Sequence, residues 1–344
     1  MRSRARIADV AAAAGVSTAT VSRALSNPNV VGEETRSRVL AAVEATGYRI
    51  NAAARDLRSR RARSILVLAP NLANTFFSRI IAAIQEVAGA AGLTVQISDS
   101  RAERDRLAAL GHDGRADGII LLDGSLDPEL VKAWTLPVVQ LCEWNRAYDL
   151  SGLAIDNVAA AHMAVDHLAD LGHRHILHVE GPQENVLGLT RCEGFLKAAA
   201  ARGVSATLHS GDFTMASGAR SARDWAAMDE RPTAVFTASD ECAFGFISEC
   251  DRMGLKVPDD VSVVGFDDVD FASRFIPPLT TIHQPRARLG RRAAERLISA
   301  LEVGEMANRS EELIEAHLVV RDSTRAVRAL SRSPDLPRHG EGGG

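Results

Sequence analysis

The sequence predicts a small all-α helix-turn-helix headpiece joined to an α/β body of two doubly wound parallel-sheet lobes, and three observations carry that prediction. At 344 residues the chain is too long for one small domain. Its charge is polarised: residues 1–63 hold twelve arginines against five acidic side chains, a local charge of +7, so the remainder carries −11 within a total of −4. From Ser64 onward, short apolar runs alternate with stretches of helical spacing, as strands and their crossover helices do. With 46% hydrophobic and 24% charged residues the composition is ordinary for a globular protein, which argues against disorder and fibrous repeats.

The headpiece is read over residues 1–48. Ile7, Val10, Ala11 and Ala14 form the apolar stripe of a short helix, and Gly15 ends it with the backbone freedom a tight turn needs. Ser17 then caps a second helix whose Val21, Ala24 and Leu25 point inward, leaving Thr18, Ala19, Ser22 and Arg23 outward. Two helices joined by such a turn make a unit whose second helix enters the DNA major groove. A basic module on an acidic body fits this: one end meets a polyanion and the other is repelled by it. Residues 49–63 read as a linker. Its run Asn51-Ala52-Ala53-Ala54-Arg55-Asp56-Leu57-Arg58 favours helix but is too short to stand alone. Arg58, Arg60, Arg61 and Arg63 add backbone electrostatics, which makes any DNA binding steeply salt-dependent.

The body is read over residues 64–325. Buried strands are expected at Ser64–Pro70, Leu93–Ile97, Asp117–Leu122 and Pro137–Leu141, with a helix from Ser78 to Gly92 between the first two. A second set follows at His175–Val179, Thr207–His209, Ala234–Thr237 and Val261–Phe266. Two sets imply two lobes facing across a cleft, with a ligand at the carboxyl ends of their strands. Residues 326–344 read as a disordered tail.

Other chemistry finds little support. No stretch of 18 apolar residues occurs, and Met1 to Arg6 leads to Asp9 rather than to an apolar signal core, so a cytoplasmic, nucleoid-associated protein without a membrane partner is expected. Cys142, Cys192, Cys242 and Cys250 are far apart and read as buried, inert thiols. The cluster His173-Arg174-His175-Ile176-Leu177-His178 puts His175 and His178 on opposite faces of a strand, which opposes a metal site. No phosphate-binding loop, nucleophile elbow or His-Glu-x-x-His motif is present, so neither an enzyme nor a cofactor is expected. A transport binding protein would lack the basic headpiece; an enzyme acting on a nucleoside or sugar would show turnover.

The runs Ile7-Ala8-Asp9-Val10-Ala11, Ala14-Gly15-Val16-Ser17, Thr20-Val21-Ser22-Arg23 and Leu25-Ser26, with Val39 and Gly47-Tyr48-Arg49-Ile50-Asn51, resemble the headpiece of the lactose/galactose repressor family almost residue for residue. In the body, Asn74-Thr75-Phe76-Phe77, Arg191-Cys192-Glu193-Gly194-Phe195, Gly265-Phe266-Asp267-Asp268 and Pro278-Leu279-Thr280-Thr281-Ile282 extend the resemblance through that family's periplasmic-binding-protein type 1 fold. It implies that Thr18, Ala19 and Arg23 read base edges while Ser17 and Ser22 meet phosphates. It makes Asn51, Ala54 and Leu57 part of a DNA-contacting hinge helix, with Leu57 as a wedge in the minor groove. Phe76 and Phe77 become apolar walls for an effector, Arg191 and Asp267 bond it from the far lobe, and Glu143, Trp144, Asn185, Phe236 and Asp240 complete the cleft. The implied hinge crossings are Asp156-Asn157, His283-Gln284-Pro285 and a segment near Val320 to Thr324, so that the first lobe takes residues 64–156 and 286–320 and the second 157–282 and 321–325.

The implied function is a repressor that binds double-stranded palindromic operator DNA as a homodimer under control of a small effector. The face of Ile80, Ile81, Ile84 and Val87 is a candidate dimer interface, though core packing explains it equally. Within the family the cytidine and purine repressors look most similar. Yet Asn185 stands where the purine repressor has a ligand-binding arginine, and Leu187 replaces a threonine, which speaks against a purine base and for a nucleoside or sugar.

Overall fold

The computed structural model describes residues 5–26, 30–49, 61–304 and 310–327. The chain divides into two units, the first ending at Ala62 and the second starting at Arg63.

In the first unit, helix α1 (Ile7–Ala14) opens with the Asp9 carboxylate accepting from the Arg6 backbone N–H at 2.7 Å and ends at Gly15, φ 62°. Helix α2 (Thr18–Ser26) starts where the Ser17 hydroxyl accepts from the Thr20 N–H at 3.1 Å, so Ser17 caps it. A third helix, α3 (Glu33–Thr46), was not legible because its stripe is thin, with only Val39 and Ala42 buried. Val10, Ala11, Ala14, Val21, Ala24, Val39 and Ala42 form the core. Arg38 donates to the Ala14 carbonyl at 2.8 Å, so α3 secures the end of α1 that sets the turn.

The second unit holds two six-stranded sheets. The first consists of β1 (Ser64–Ala69), β2 (Thr94–Asp99), β3 (Gly118–Leu121), β4 (Val138–Leu141), β5 (Ser151–Ala154) and β11 (Glu311–Leu313), in the order β11-β5-β4-β3-β1-β2 and parallel throughout. The second consists of β6 (His175–Val179), β7 (Ser205–His209), β8 (Ala234–Thr237), β9 (Ser262–Asp267), β10 (Thr280–His283) and β12 (His317–Val319), ordered β12-β10-β9-β8-β6-β7, with only the β10–β12 pair antiparallel.

Helices cover both faces, which is why the central strands are apolar on both. In β1, Ile65, Val67 and Ala69 join one cluster with α4 (Phe76–Ala90), while Leu66 and Leu68 join another with α5 (Arg104–Leu110) and α6 (Pro128–Lys132). Ile80 and Ile84 of α4 are fully buried in the former, so the candidate dimer face is core, with Ile81 and Val87 packed at its margin. The remaining helices are α7 (Asn157–Asp170), α8 (Val186–Arg202), α9 (Met215–Ala226), α10 (Asp240–Arg252) and α11 (Arg286–Val303).

The chain passes between sheets three times, at Ile155–Asp156, Gln284–Pro285 and Ile314–Ala316. The third crossing precedes the expected Val320–Thr324 position, because His317 already pairs with His283 in the second sheet. The crossings run side by side: the Ile314 N–H donates to the Ala154 carbonyl at 2.8 Å, and the rings of His283 and His317 lie 4.7 Å apart.

No described helix is long and apolar enough to cross a membrane. Cys142, Cys242 and Cys250 are buried and Cys192 half-buried; all four are free thiols, and burial pushes the thiols of Cys192, Cys242 and Cys250 up to about 12. The His cluster is structural: His173 bonds Thr233 and Ser262, His175 bonds Thr207, and His178 packs against the rings of Phe195 and Phe236, which also stack on each other. Among the described residues no three His, Cys, Asp or Glu side chains gather as a metal would need.

Candidate functional site

Two sites emerge, one in each unit. On the headpiece, Thr18, Ala19 and Arg23 are exposed along α2 and Ser22 is half-buried, so the first turns of this helix are free to approach DNA edges. Arg23 donates through Nε to the Ala19 carbonyl at 3.3 Å, which leaves its terminal nitrogens for the bidentate contact a guanine accepts. The Ser17 hydroxyl both caps α2 and shares a 2.9 Å bond with Thr20. Asn51, Ala54 and Leu57 lie outside the described residues.

Between the lobes of the second unit lies a cavity of about 360 Å³. Phe76 and Phe77 open α4 and line it edge to face, 5.3 Å between ring centroids, with Leu122, Leu187 and Phe213 as further apolar wall. Its polar lining includes Glu143, Asn185, Arg191 and Asp267. Asp267 ends β9 at φ 120°, backbone that an L residue adopts only under restraint. The restraint is visible: its Oδ1 accepts from Gln284 Nε2 at 2.7 Å and sits 3.8 Å from the Arg191 guanidinium. Burial pushes its carboxyl up to about 6, while Arg191 and Gln284 pull it down.

Arg191, on α8, is buried too. Nε bonds Asn157 Oδ1 at 2.9 Å, a terminal nitrogen bonds the Ala238 carbonyl at 2.5 Å, and the guanidinium stacks 3.7 Å from the Phe266 ring centroid. Burial lowers its affinity for the proton, but a guanidinium stays charged. The group is therefore a fixed cation whose remaining donors face the cavity beside a fixed carboxylate.

Glu143 and Asn185 meet across the gap. Glu143 accepts from the Gly124 N–H at 2.8 Å and from the Asn185 side chain, while Asn185 Oδ1 caps α8 by accepting from the Leu187 N–H at 2.8 Å. Burial nevertheless dominates and raises the Glu143 carboxyl to about 7. A raised pKa means that the folded state holds the proton more tightly, so its contribution to stability is full below about pH 4.5 and is lost as pH rises through 7. Glu143→Gln is expected to stabilise the protein at pH 8 relative to pH 5, by up to about 3 kcal/mol. Urea unfolding of both proteins at the two pH values checks this, and an equal difference at both would discount Glu143.

Three expected cleft residues are elsewhere. Cys142 adopts φ 69° and the Glu143 N–H turns back to the Leu141 carbonyl at 2.9 Å; Glu143 lines the cavity while Trp144 lines an adjoining groove with Arg146 and Leu313, Cys142 and Leu187 being common to both. Phe236 points into the core and stacks on His178 at 4.8 Å. Asp240, fully buried, accepts from the Val269 N–H at 2.8 Å and the Thr281 hydroxyl at 2.5 Å. It braces the turn carrying Asp267. Sequence reasoning missed Phe213, Asp212, Glu241 and Arg101 as lining residues. The signal for Phe213 was available: it follows the carboxyl end of β7, where the strand rule places ligands.

Comparison with known proteins agrees with this division. Residues 6–51 match the model of bacterial regulatory proteins of the lacI family, and residues 165–324 match a periplasmic binding protein-like domain. The HTH-type transcriptional repressor CytR of Escherichia coli (strain K12) is 36% identical over 332 residues, covering 94% of this chain and 97% of that protein. The HTH-type transcriptional repressor PurR of Photobacterium profundum is 35% identical over 333 residues, 93% of this chain and 99% of that protein. The lac repressor dimer, solved bound to operator and the anti-inducer ONPF, superposes with a TM-score of 0.84 at 30% identity, covering 94% of this chain and all of that one. These relatives are repressors, not enzymes. The chain belongs to the LacI family of bacterial regulatory proteins, as a transcriptional repressor with a helix-turn-helix DNA-binding domain and a ligand-binding domain.

Proposed function

We propose that this repressor binds a palindromic operator as a homodimer and that a nucleoside or sugar, held between the lobes, controls it. The observation that carries the effector reading is the buried Arg191–Asp267 pair on the wall of the cavity. A fixed carboxylate accepts from paired hydroxyls, a fixed guanidinium donates to ring or hydroxyl oxygens, and Phe76, Phe77 and Phe213 offer faces to a flat or puckered ring. The volume of about 360 Å³ suits a small metabolite. The lac repressor structure supports the assembly, being a dimer on its operator. A helix that reads one half-site gains a second half-site through two-fold symmetry. Lobe closure transmits the signal only as far as the effector binds one state better than the other.

The operator claim is tested by gel shift with Arg23→Ala. Preference for operator over random DNA is expected to fall about 10- to 100-fold, leaving weak salt-sensitive binding, as loss of one bidentate base contact implies. Unchanged preference would refute α2 as the reading helix. The effector claim is tested by thermal shift with cytidine, uridine and ribose; no shift with any of them would remove the nucleoside or sugar reading.

A further inference from the structure

One contact at the cleft wall ties the two lobes to each other. Thr75 stands just before α4 of the first lobe, and Glu241 lies in the first turn of α10 of the second, 166 residues further along the chain. Glu241 lines the cavity, as do Asn74 and Phe76 on either side of Thr75. A single carboxylate oxygen, Glu241 Oε1, accepts from the Thr75 backbone N–H and from the Thr75 hydroxyl, each at 3.1 Å.

The role of Thr75 departs from what its position favours. A threonine at a helix N-cap ordinarily turns its hydroxyl back to accept from an N–H of its own first turn. Thr75 makes no such bond; its hydroxyl donates across the gap, and the neighbouring Asn74 Oδ1 takes the Phe76 N–H at 2.8 Å. The Glu241 carboxylate therefore stands at two helix N-termini at once, its own and that of α4, where both dipoles favour negative charge. Thr75 and Glu241 are half-buried, so their bonds are stronger than they would be in open water. Glu241 also acts on the site itself: burial raises the Asp267 carboxyl, and the nearby Glu241 charge raises it further.

We propose that Glu241 is a positioning residue of the cleft, a bridge that sets how far the lobes close by holding Thr75. Its regulatory consequence rests on the reading of the cavity as the effector site. A ligand hydroxyl or amine that donates to Glu241 releases Thr75 and loosens closure; a ligand without that donor leaves the bridge in place.

Amide hydrogen exchange of the full chain, followed by mass spectrometry, tests the bridge. Glu241→Ala removes both bonds; Thr75→Val removes the hydroxyl and keeps the branched shape. If the bridge governs closure, exchange quickens beyond the contact, at the Gly124 N–H bonded to Glu143 and the Leu187 N–H bonded to Asn185. At least about tenfold faster exchange is expected there in Glu241→Ala and a smaller change in Thr75→Val, with the double variant matching Glu241→Ala because both changes break one contact. Exchange in the buried strand β8 should stay at the parent's rate, which separates lobe opening from global unfolding. Glu241→Gln keeps an acceptor oxygen and should recover most of the protection. A change confined to residues 74–78 and 239–243, or no recovery with glutamine, overturns the bridge. The measurement uses no ligand, so its outcome is separate from whether cytidine, uridine or ribose binds.

Discussion

Replacing Asp267 by Ala is expected to abolish the response to the effector while leaving operator binding in place. The carboxylate is buried, anchored by Gln284 at 2.7 Å and opposed by Arg191, so it cannot be replaced by water or by a neighbour swinging in. Two charge-assisted bonds to hydroxyls, as proposed, would contribute roughly 1.5–3 kcal/mol each, so affinity for the proposed nucleoside or sugar should fall at least about 100-fold. Asp267→Asn keeps the shape and one acceptor and should lose only about tenfold. Calorimetry with the probe that shifts the parent protein gives both numbers. Equal affinities across the three proteins would show that Asp267 braces the cleft without touching its occupant.

Gly218→Ala should do comparable damage to folding. Helices α9 and α10 cross with their backbones in contact: a methyl group at Gly218 would stand 1.9 Å from the Cys242 carbonyl oxygen, and one at Gly245 would stand 1.9 Å from that of Met215. No side chain can rotate away to make room, because the obstacle is backbone. The helices must part, opening the cluster around Trp225, Phe246 and Cys242 that covers one face of the second sheet. A cost of at least about 3 kcal/mol, the upper end for overpacked cores, is expected as a lower urea midpoint followed by tryptophan emission. An unchanged midpoint would mean that the crossing is looser than it stands here.

The alternation of apolar strands and helices was legible because both faces of each central strand are covered, leaving runs such as Ile65 to Ala69 without a polar break. That same double burial hid the cleft's membership. Phe236 could have faced either side of its sheet, since Val235 and Phe236 are both fully buried and only packing decides which cluster each joins. Asp240 was placed in the cleft by the family resemblance alone; its partners, the Val269 N–H and the Thr281 hydroxyl, come from 29 and 41 residues away and leave no local trace. Trp144 was lost to one backbone angle, the positive φ of Cys142, a residue type that gives no warning of it. Arg191 and Asp267 were found because the motifs around them, Arg191-Cys192-Glu193-Gly194-Phe195 and Gly265-Phe266-Asp267-Asp268, resembled those of a known family.

The three crossings between sheets bear on what such a protein can report. Strands fastened side by side, with Ile314 bonded to Ala154 and the tilted rings of His283 and His317 4.7 Å apart, favour a rotation about the line they share over sliding. Under the proposed control by lobe closure, whatever chemistry enters the cleft is expected to be passed on as a single scalar, the opening angle. Ligands of unrelated structure that select the same angle are indistinguishable to the DNA, and chemically close ligands that select different angles become opposites. Discrimination between molecules is thus finished at the cleft wall, and what travels onward has a sign and a size but no chemical identity.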